Sequence, residues 1–290
     1  MLLSFSEYID TVKELDHNVL LIFQPAEETL GGAEEICKSG IFTKYNVSQV
    51  FGIHLWPFLP KGVISSRPGA FMPKSAEINV DINGKAAHGT APYEGLDALY
   101  ITADYVKRTY GDHANMFGAI HRFKDGVGDL TYAPCDIPEE RTLIHFGKME
   151  SGYARNIVSD YSHLLGTVRA YDEDHFQKII GILTKNLEEI EKEYHCTTGF
   201  SHSDGYPPVI NDKVLYDEIR PVLKSLEGGY EEMPLPLMIS EDFSFYGQYA
   251  PAVFFVLGTG TGIPLHSTSF DFEEDLLLSG FALYKALLTR

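Results

Sequence analysis

Leu20-Leu21-Ile22-Phe23-Gln24-Pro25-Ala26-Glu27-Glu28 decides how this chain is read. Its first half is a continuous apolar run, the pattern of a strand buried on both faces of a mainly parallel sheet, expected over residues 18–23. Pro25 stops the strand, because it has no N–H for the ladder and restricts the residue before it. Glu27 and Glu28 follow at the carboxyl end, and Gly31-Gly32 leads into a helical stretch. In open α/β sheets, ligands bind in the crevice outside the carboxyl ends of the strands. Neighbouring side chains in a turning chain point in different directions, so one glutamate can hold a metal while the other handles the proton of a bound water. The same pair also fits a solvated acidic turn, its charge favoured by the dipole of the next helix.

Composition bounds the rest. At 290 residues the chain is long enough for two domains, each with its own core. The net charge of −18, from 23 basic and 41 acidic residues, argues against nucleic acid or an anionic membrane as partner. No apolar run approaches the ~18 residues of a membrane span. The three cysteines, Cys37, Cys135 and Cys196, are odd in number and far apart. That fits buried thiols in a reducing, cytoplasmic setting and neither a disulfide framework nor a CxxC zinc site. The apolar stripe of Met1, Leu2, Leu3, Phe5, Tyr8, Ile9, Val12 and Leu15 predicts a helix that starts at residue one with no capping side chain ahead of it. A signal peptide is not indicated, since a basic leader is missing and Glu7 and Asp10 interrupt the stripe.

Outward from the opening stretch, helices and strands alternate: a helix over 32–38, a buried strand at Val50–Pro57 with His54 near its end, and a short strand at 62–66. This is the α/β signature. Near Pro73 the pattern changes. Ser75 to Ile82 alternates as a half-exposed strand, and the order that follows predicts a β-α-β-β-α-β sandwich of the ferredoxin type. Its further elements are a helix over 93–108, strands over 142–149 and 161–170, a helix over 173–194 and a strand over 197–203. The expected fold class is therefore α/β, with a mostly parallel-sheet catalytic domain (1–73 and 204–290) and an inserted α+β ferredoxin-like domain (74–203). Residues 110–141 exceed the usual length of a structureless loop and are expected to have structure of their own. The first domain resumes with a helix over 213–226, the buried strand Ala252–Leu257 and a final helix from Glu273. The run Gly258-Thr259-Gly260-Thr261-Gly262 lacks the lysine and helix of a phosphate loop.

Glu28, His54 and His266 each follow a different predicted strand on its carboxyl side. If those strands are neighbours, the three side chains share one rim, and carboxylate and imidazole are donors that Zn²⁺ or Mn²⁺ accepts. Glu27 is then placed to take a proton from a bound water and return it to a leaving amine. Taken singly, His54 also reads as a hydrogen-bonded core residue and His266 as a loop residue satisfied by backbone.

Seven stretches occur in order: Gln24-Pro25-Ala26-Glu27-Glu28, Gly52-Ile53-His54-Leu55-Trp56-Pro57, Gly84-Lys85-Ala86-Ala87-His88-Gly89, Ala154-Arg155-Asn156-Ile157-Val158, Gly166-Thr167-Val168-Arg169, Ser240-Glu241-Asp242-Phe243 and Leu265-His266-Ser267. Together they resemble the amidohydrolase branch of metallopeptidase family M20, which includes hippurate hydrolase, N-acetyldiaminopimelate deacetylase and enzymes that release auxin from amino-acid conjugates. The resemblance implies a hydrolase acting on the amide bond of N-acyl amino acids or dipeptide-like substrates. It implies two divalent ions per subunit (Zn²⁺ or Mn²⁺) and a homodimer formed through the inserted lid. Carried over by position, Glu27 is the general base and acid, and Glu28, His54 and His266 are metal ligands. His88 is a lid residue that reaches a partner subunit's site to stabilise the oxyanion, and Asn156 and Arg169 hold the substrate carboxylate. By residue type alone, His88 is also a plain loop histidine and Arg169 also half of a structural ion pair. Glu241 lies near the site in the family, with no role assigned.

Two departures stand out. The family's bridging cysteine and a further ligand histidine belong to a short motif expected just before the opening helix, and this chain opens after it. The implied two-metal centre is therefore incomplete here, and the chain reads as an amino-terminally shortened form. The connection 110–141 is also longer than is usual for the lid. The rival from another class is a non-catalytic relative that binds or dimerises through the same fold.

Overall fold

Helix α1 (Leu2–Thr11) carries the apolar stripe that opens the sequence, and it ends one turn earlier than the stripe predicts. Phe5 is buried against Phe281 and Tyr284 of the carboxyl-terminal helix, with ring centroids 6.1 and 5.6 Å away. The structure is a computed structural model, and it describes residues 1–28, 31–117, 122–124, 127–129 and 140–290. Two compact units divide the chain: residues 1–72, 209–237 and 241–290 form the first, and 73–208 with 238–240 form the second.

The first unit continues with α2 (Gly32–Lys38), α3 (Ile41–Lys44), β1 (Val50–Trp56), β2 (Ile64–Ser66) and β3 (Gly69–Met72). The second unit supplies β4 (Lys74–Asn83), α4 (Ala98–Phe117), β5 (Arg122–Lys124), β6 (Val127–Asp129), β7 (Thr142–Ser151), β8 (Tyr161–Ala170), α5 (Glu173–Tyr194) and β9 (Thr197–His202). The chain then returns to the first unit with β10 (Val209–Asn211), α6 (Lys213–Lys224), β11 (Tyr230–Glu232), β12 (Ala252–Gly258) and α7 (Leu277–Leu288).

The main sheet of the first unit has the order β1-β12-β2-β11. β1 runs parallel to β12 and β2 to β11, while β12 and β2 are antiparallel, so the sheet is mixed. Every residue of β12 is buried. Val253, Phe255 and Leu257 pack against Leu215, Tyr216 and Ile219 of α6 and Leu283 of α7, whereas Phe254 turns to the other face, against Phe243 and Phe71. β1 stands at the sheet edge and is half-buried along its whole length, where the sequence predicts full burial.

The strand expected over 18–23 is not formed. Residues 18–25 make no ladder with any described strand, Leu20–Ile22 are only half-buried, and Phe23 is 60% exposed. An apolar run signals burial; a strand also needs a partner for its backbone groups, and residues 18–25 pair with none of the described strands.

In the second unit the order β7-β8-β4-β9, antiparallel throughout, is that of a ferredoxin-like sandwich. Ala76, Ile78, Val80 and Ile82 line the covered face of β4 and pack on Ile101 and Tyr105 of α4 and Phe176, Ile179 and Leu183 of α5. Helix α5 begins where Asp172 accepts a hydrogen bond from the His175 N–H (2.7 Å) and ends at His195 in the left-handed region. Residues 110–117 complete α4, which is longer than its predicted end at 108, and β5 pairs with β6; the rest of the 118–139 connection lies outside the described residues.

Gly52 shows how tightly the first unit is packed beside its sheet. A Cβ there would lie 2.7 Å from two atoms of the Phe243 ring and 2.8 Å from Phe254. Gly52→Ala should therefore cost about 1–3 kcal/mol by overpacking. Chemical denaturation checks this: the midpoint should fall with the slope unchanged, and an unchanged midpoint would contradict the packing.

Candidate functional site

The site of the first unit is built around a buried carboxylate. A 3₁₀ helix, Asp242–Gln248, follows the motif Ser240-Glu241-Asp242-Phe243, and Asp242 at its start is fully buried. Both oxygens of Asp242 accept from Gln24 Nε2 (2.8 and 2.7 Å), and Oδ2 also accepts from the Ala33 N–H (3.1 Å). Tyr246 Oη donates to Gln24 Oε1 (2.6 Å), which fixes the amide so that its NH₂ faces the carboxylate. Asp242 thus holds both ends of the segment 24–33 that carries the glutamate pair. Gly32 completes the turn, since a Cβ there would lie 1.9 Å from the Pro25 carbonyl oxygen. Ala26 has a φ of 61°, a left-handed conformation uncommon outside glycine.

That frame gathers acids. Glu27, Glu241 and Asp242 each offer an oxygen within 4.8 Å of the others, and they are the sole such group of three His, Cys, Asp or Glu donors among the described residues. Burial, then the charge of Glu28, then that of Asp242 push the Glu27 carboxyl upward, partly offset by His266. Burial and the charges of Glu27 and Asp242 push Glu241 up to about 8. Cys37, buried in α2, is pushed up to about 11 by burial and the nearby Asp242, so it remains a thiol at neutral pH.

Glu28 and His266 form a second grouping. His266 Nε2 lies 3.7 Å from Glu28 Oε1, too long for a hydrogen bond and short enough for both to reach one cation. Both side chains are largely exposed, and His266 has a φ of 62°. His54 lies on β1, opposite Val256 of the parallel strand β12, whose chain runs on into the loop bearing His266. It is two residues from Gly52 and so shares the sheet face on which Phe243 packs. His54 Nδ1 is 2.7 Å from the Leu55 carbonyl oxygen. A carbonyl only accepts, so Nδ1 carries the proton and Nε2 keeps a free lone pair, the form a metal takes. His54 joins none of the three-donor groups among the described residues.

The remaining residues singled out from sequence belong to the second unit. His88 and Asn156 sit in adjoining loops: Gly89 N–H donates to the Asn156 carbonyl (2.8 Å), Val158 N–H to the Ala87 carbonyl (2.9 Å), and His88 bridges to Ile157. Arg169 lies on β8 and donates through Nη1 to the Met238 carbonyl. Its Nε is buried with no hydrogen-bond partner, and burial pushes its pKa downward with no carboxylate of the described residues nearby to offset it. A cation so held lacks the structural ion pair that a strand arginine often has, and its buried Nε is left without an acceptor. Sequence reasoning gave Gln24, Asp242 and Tyr246 no role. The first two lie in the ordered motifs, but only the fold shows that they bind each other.

Comparison with known proteins gives a consistent result. A family profile described as Peptidase family M20/M25/M40 matches residues 1–290. An uncharacterized hydrolase of Staphylococcus aureus is 30% identical over 284 residues, covering 95% of this chain and 68% of the relative. One from Staphylococcus epidermidis is 31% identical over 288 residues, with the same coverage of 95% and 68%. Among solved structures, a protein from methicillin resistant Staphylococcus aureus, provisionally designated an aminohydrolase, superposes with a TM-score of 0.74 at 24% identity, over 92% of this chain and 65% of that one. A protein from Bacillus subtilis described as a dinuclear metal binding peptidase gives 0.70 at 20% identity, over 92% and 63%. The chain thus spans just under two thirds of both solved structures, and the likeness to them is one of fold.

The acid cluster predicts a pH dependence of stability in chelator-treated protein. Glu241 titrates near 8 when folded and at its ordinary 4.5 when unfolded. Between those values the folded state holds a proton that the unfolded chain has released, so stability is greatest at low pH and falls as pH rises. From about pH 5 to about pH 8 the loss should be on the order of a few kcal/mol. Glu241→Gln should flatten the trend in thermal melts with EDTA present; a slope of the opposite sign would refute the reading of the cluster.

Proposed function

The chain belongs to the peptidase family M20/M25/M40, and from that premise we propose a metal-dependent hydrolase that cleaves the amide bond of N-acyl amino acids or dipeptide-like substrates. The observation that carries the proposal is the pairing of two features in one unit: a crowded acid group around Glu27 and the adjoining Glu28–His266 pair. Carboxylate and imidazole are the donor types that a divalent cation takes, and Glu28 and His266 stand close enough to share one. The acids repel one another without positive charge among them, and His54 presents a nitrogen lone pair. Glu28, His54 and His266 would hold the ion. Zn²⁺ or Mn²⁺ bound there supplies Lewis acidity toward water and the scissile carbonyl.

Each of the other residues has a part that its surroundings support. Glu27, its carboxyl raised by burial and neighbouring acids, takes a proton from the attacking water and returns it to the leaving amine. His88 donates a hydrogen bond to the oxygen that gains charge as the carbonyl is attacked. Arg169, with Asn156, receives the substrate carboxylate, a role supported by a guanidinium whose charge no carboxylate of the described residues offsets. The second unit serves as lid and as the contact of a homodimer through the open edge of β7, a proposal that rests on the family resemblance and on the position of β7 at the sheet margin. A cytoplasmic setting fits the two buried free thiols, Cys37 and Cys196. That the three-acid group contains none of the histidines favours a second reading, a relative that keeps the fold and binds without turnover.

A panel of N-acetyl amino acids and dipeptides, assayed for released amine with added Mn²⁺ or Zn²⁺, tests the proposal. Turnover is expected, and Glu27→Gln should lower kcat by about 10²–10⁴-fold while leaving bound metal unchanged by elemental analysis. A protein that binds metal yet hydrolyses nothing in the panel would sustain the second reading instead.

A further inference from the structure

We propose that Thr90 is a positioning residue that fixes the tautomer of His88, so that the imidazole presents Nε2–H as a donor. The inference rests on the reading of His88 as the group that meets the oxyanion. Thr90 N–H donates to His88 Nδ1 (3.2 Å). Thr90 Oγ1 lies 2.8 Å from the same nitrogen. A backbone N–H cannot accept, so Nδ1 must be the acceptor. A proton on Nδ1 would face the Thr90 N–H and be repelled, so Nδ1 carries none and the hydroxyl donates to it as well. The single proton of the neutral ring then sits on Nε2. Among the described residues nothing accepts from that nitrogen, which leaves it open to a ligand.

The backbone beneath the ring is fixed as well. Ala91 N–H closes a turn onto the His88 carbonyl (2.8 Å), which places Thr90 inside the turn with both of its donors directed at the ring. Gly89 N–H reaches the Asn156 carbonyl (2.8 Å), and a Cβ at Gly89 would press to 3.0 Å from that oxygen. His54 makes the contrast clear. Its Nδ1 donates to a carbonyl and so leaves a lone pair on Nε2, whereas the Nδ1 of His88 accepts and leaves a proton there. A ligand histidine needs the first state and an oxyanion donor needs the second.

The test is long-range ¹H–¹⁵N NMR of the imidazoles in ¹⁵N-labelled protein, recorded well above the ordinary histidine pKa of about 6.5, with His88→Ala to assign the signals. Wild type should show His88 as the Nε2–H form with a hydrogen-bonded, pyridine-like Nδ1. Thr90→Val keeps the backbone N–H and loses the hydroxyl, so both nitrogen shifts should move part of the way toward the averaged values of free histidine, and Thr90→Ser should restore them. In the assay, Thr90→Val should lower kcat about tenfold with KM nearly unchanged, and Thr90→Ser should recover it. A wild-type proton on Nδ1, or shifts unmoved in Thr90→Val, overturns the proposal. Shifts that move while kcat stays constant in both Thr90→Val and His88→Ala uphold the role of Thr90 and overturn that of His88 instead.

Discussion

One buried carboxylate sets the positions of the others. Asp242 has no exposed surface, and its two oxygens are filled by the amide of Gln24 and the Ala33 N–H. Hydrogen bonds to a charged group are worth about 1.5–3 kcal/mol each, and a buried charge that loses them costs more. The segment 24–33 therefore cannot leave Asp242 cheaply, and Glu27 and Glu28 are held wherever that segment is held. The rigidity of the 3₁₀ helix behind Asp242 has its own source. Phe243 lies with its ring centroid 4.7 Å from that of Phe254, and Tyr246 stacks on Phe42 at 5.6 Å. Hydrophobic packing of the sheet thereby becomes electrostatic order in the loop beside it.

The electrostatics that result are those of crowded acids. Acids placed close together and partly out of water raise one another's affinity for protons. Glu241 and Glu27 both respond in that direction. In an otherwise acidic protein this could be dismissed as crowding. What argues against that is selectivity: the carboxylates of Asp81, Asp104, Asp172 and Glu173 are held below their usual range by hydrogen-bonding or cationic partners, while the raised ones stand together. The second unit shows the opposite imbalance at Arg169, a half-buried cation whose buried Nε has no acceptor.

Periodicity made most of the second unit legible. The alternation Ala76, Ile78, Val80, Ile82 and the long amphipathic run from Glu173 to Tyr194 each encode an element whose burial depends on local spacing, and both formed where spacing predicts. The opening stretch was harder because its apolar run carries information about burial and none about a partner edge; residues 18–23 form no ladder. The mixed direction of the main sheet was equally hidden, since β2 is only three residues long and has no direction legible in its side chains. Residue types alone raised the glutamate pair, His54 and His266 as candidates. The grip of Asp242 on Gln24 was invisible, because nothing in a sequence marks two residues 218 positions apart as partners. Hydrogen-bond direction at His54 and His88 was hidden for a different reason: the partners lie one and two residues away, and only the local backbone conformation turns them toward the ring.

The insertion has a consequence for how the chain reaches its fold. The first unit needs Met72 to meet Val209, and β3 and β10 pair at that point. In an open chain this closure spans a long flexible loop, and its entropy opposes it. The second unit draws its sequence almost wholly from within that loop, and its own bridge joins Ser75 to Tyr206. Once it has formed, the two ends of the intervening chain are already side by side, and the remaining closure is no longer than a hairpin. Loop entropy therefore favours an order of assembly in which the interruption folds first and acts as the nucleus for the unit it interrupts.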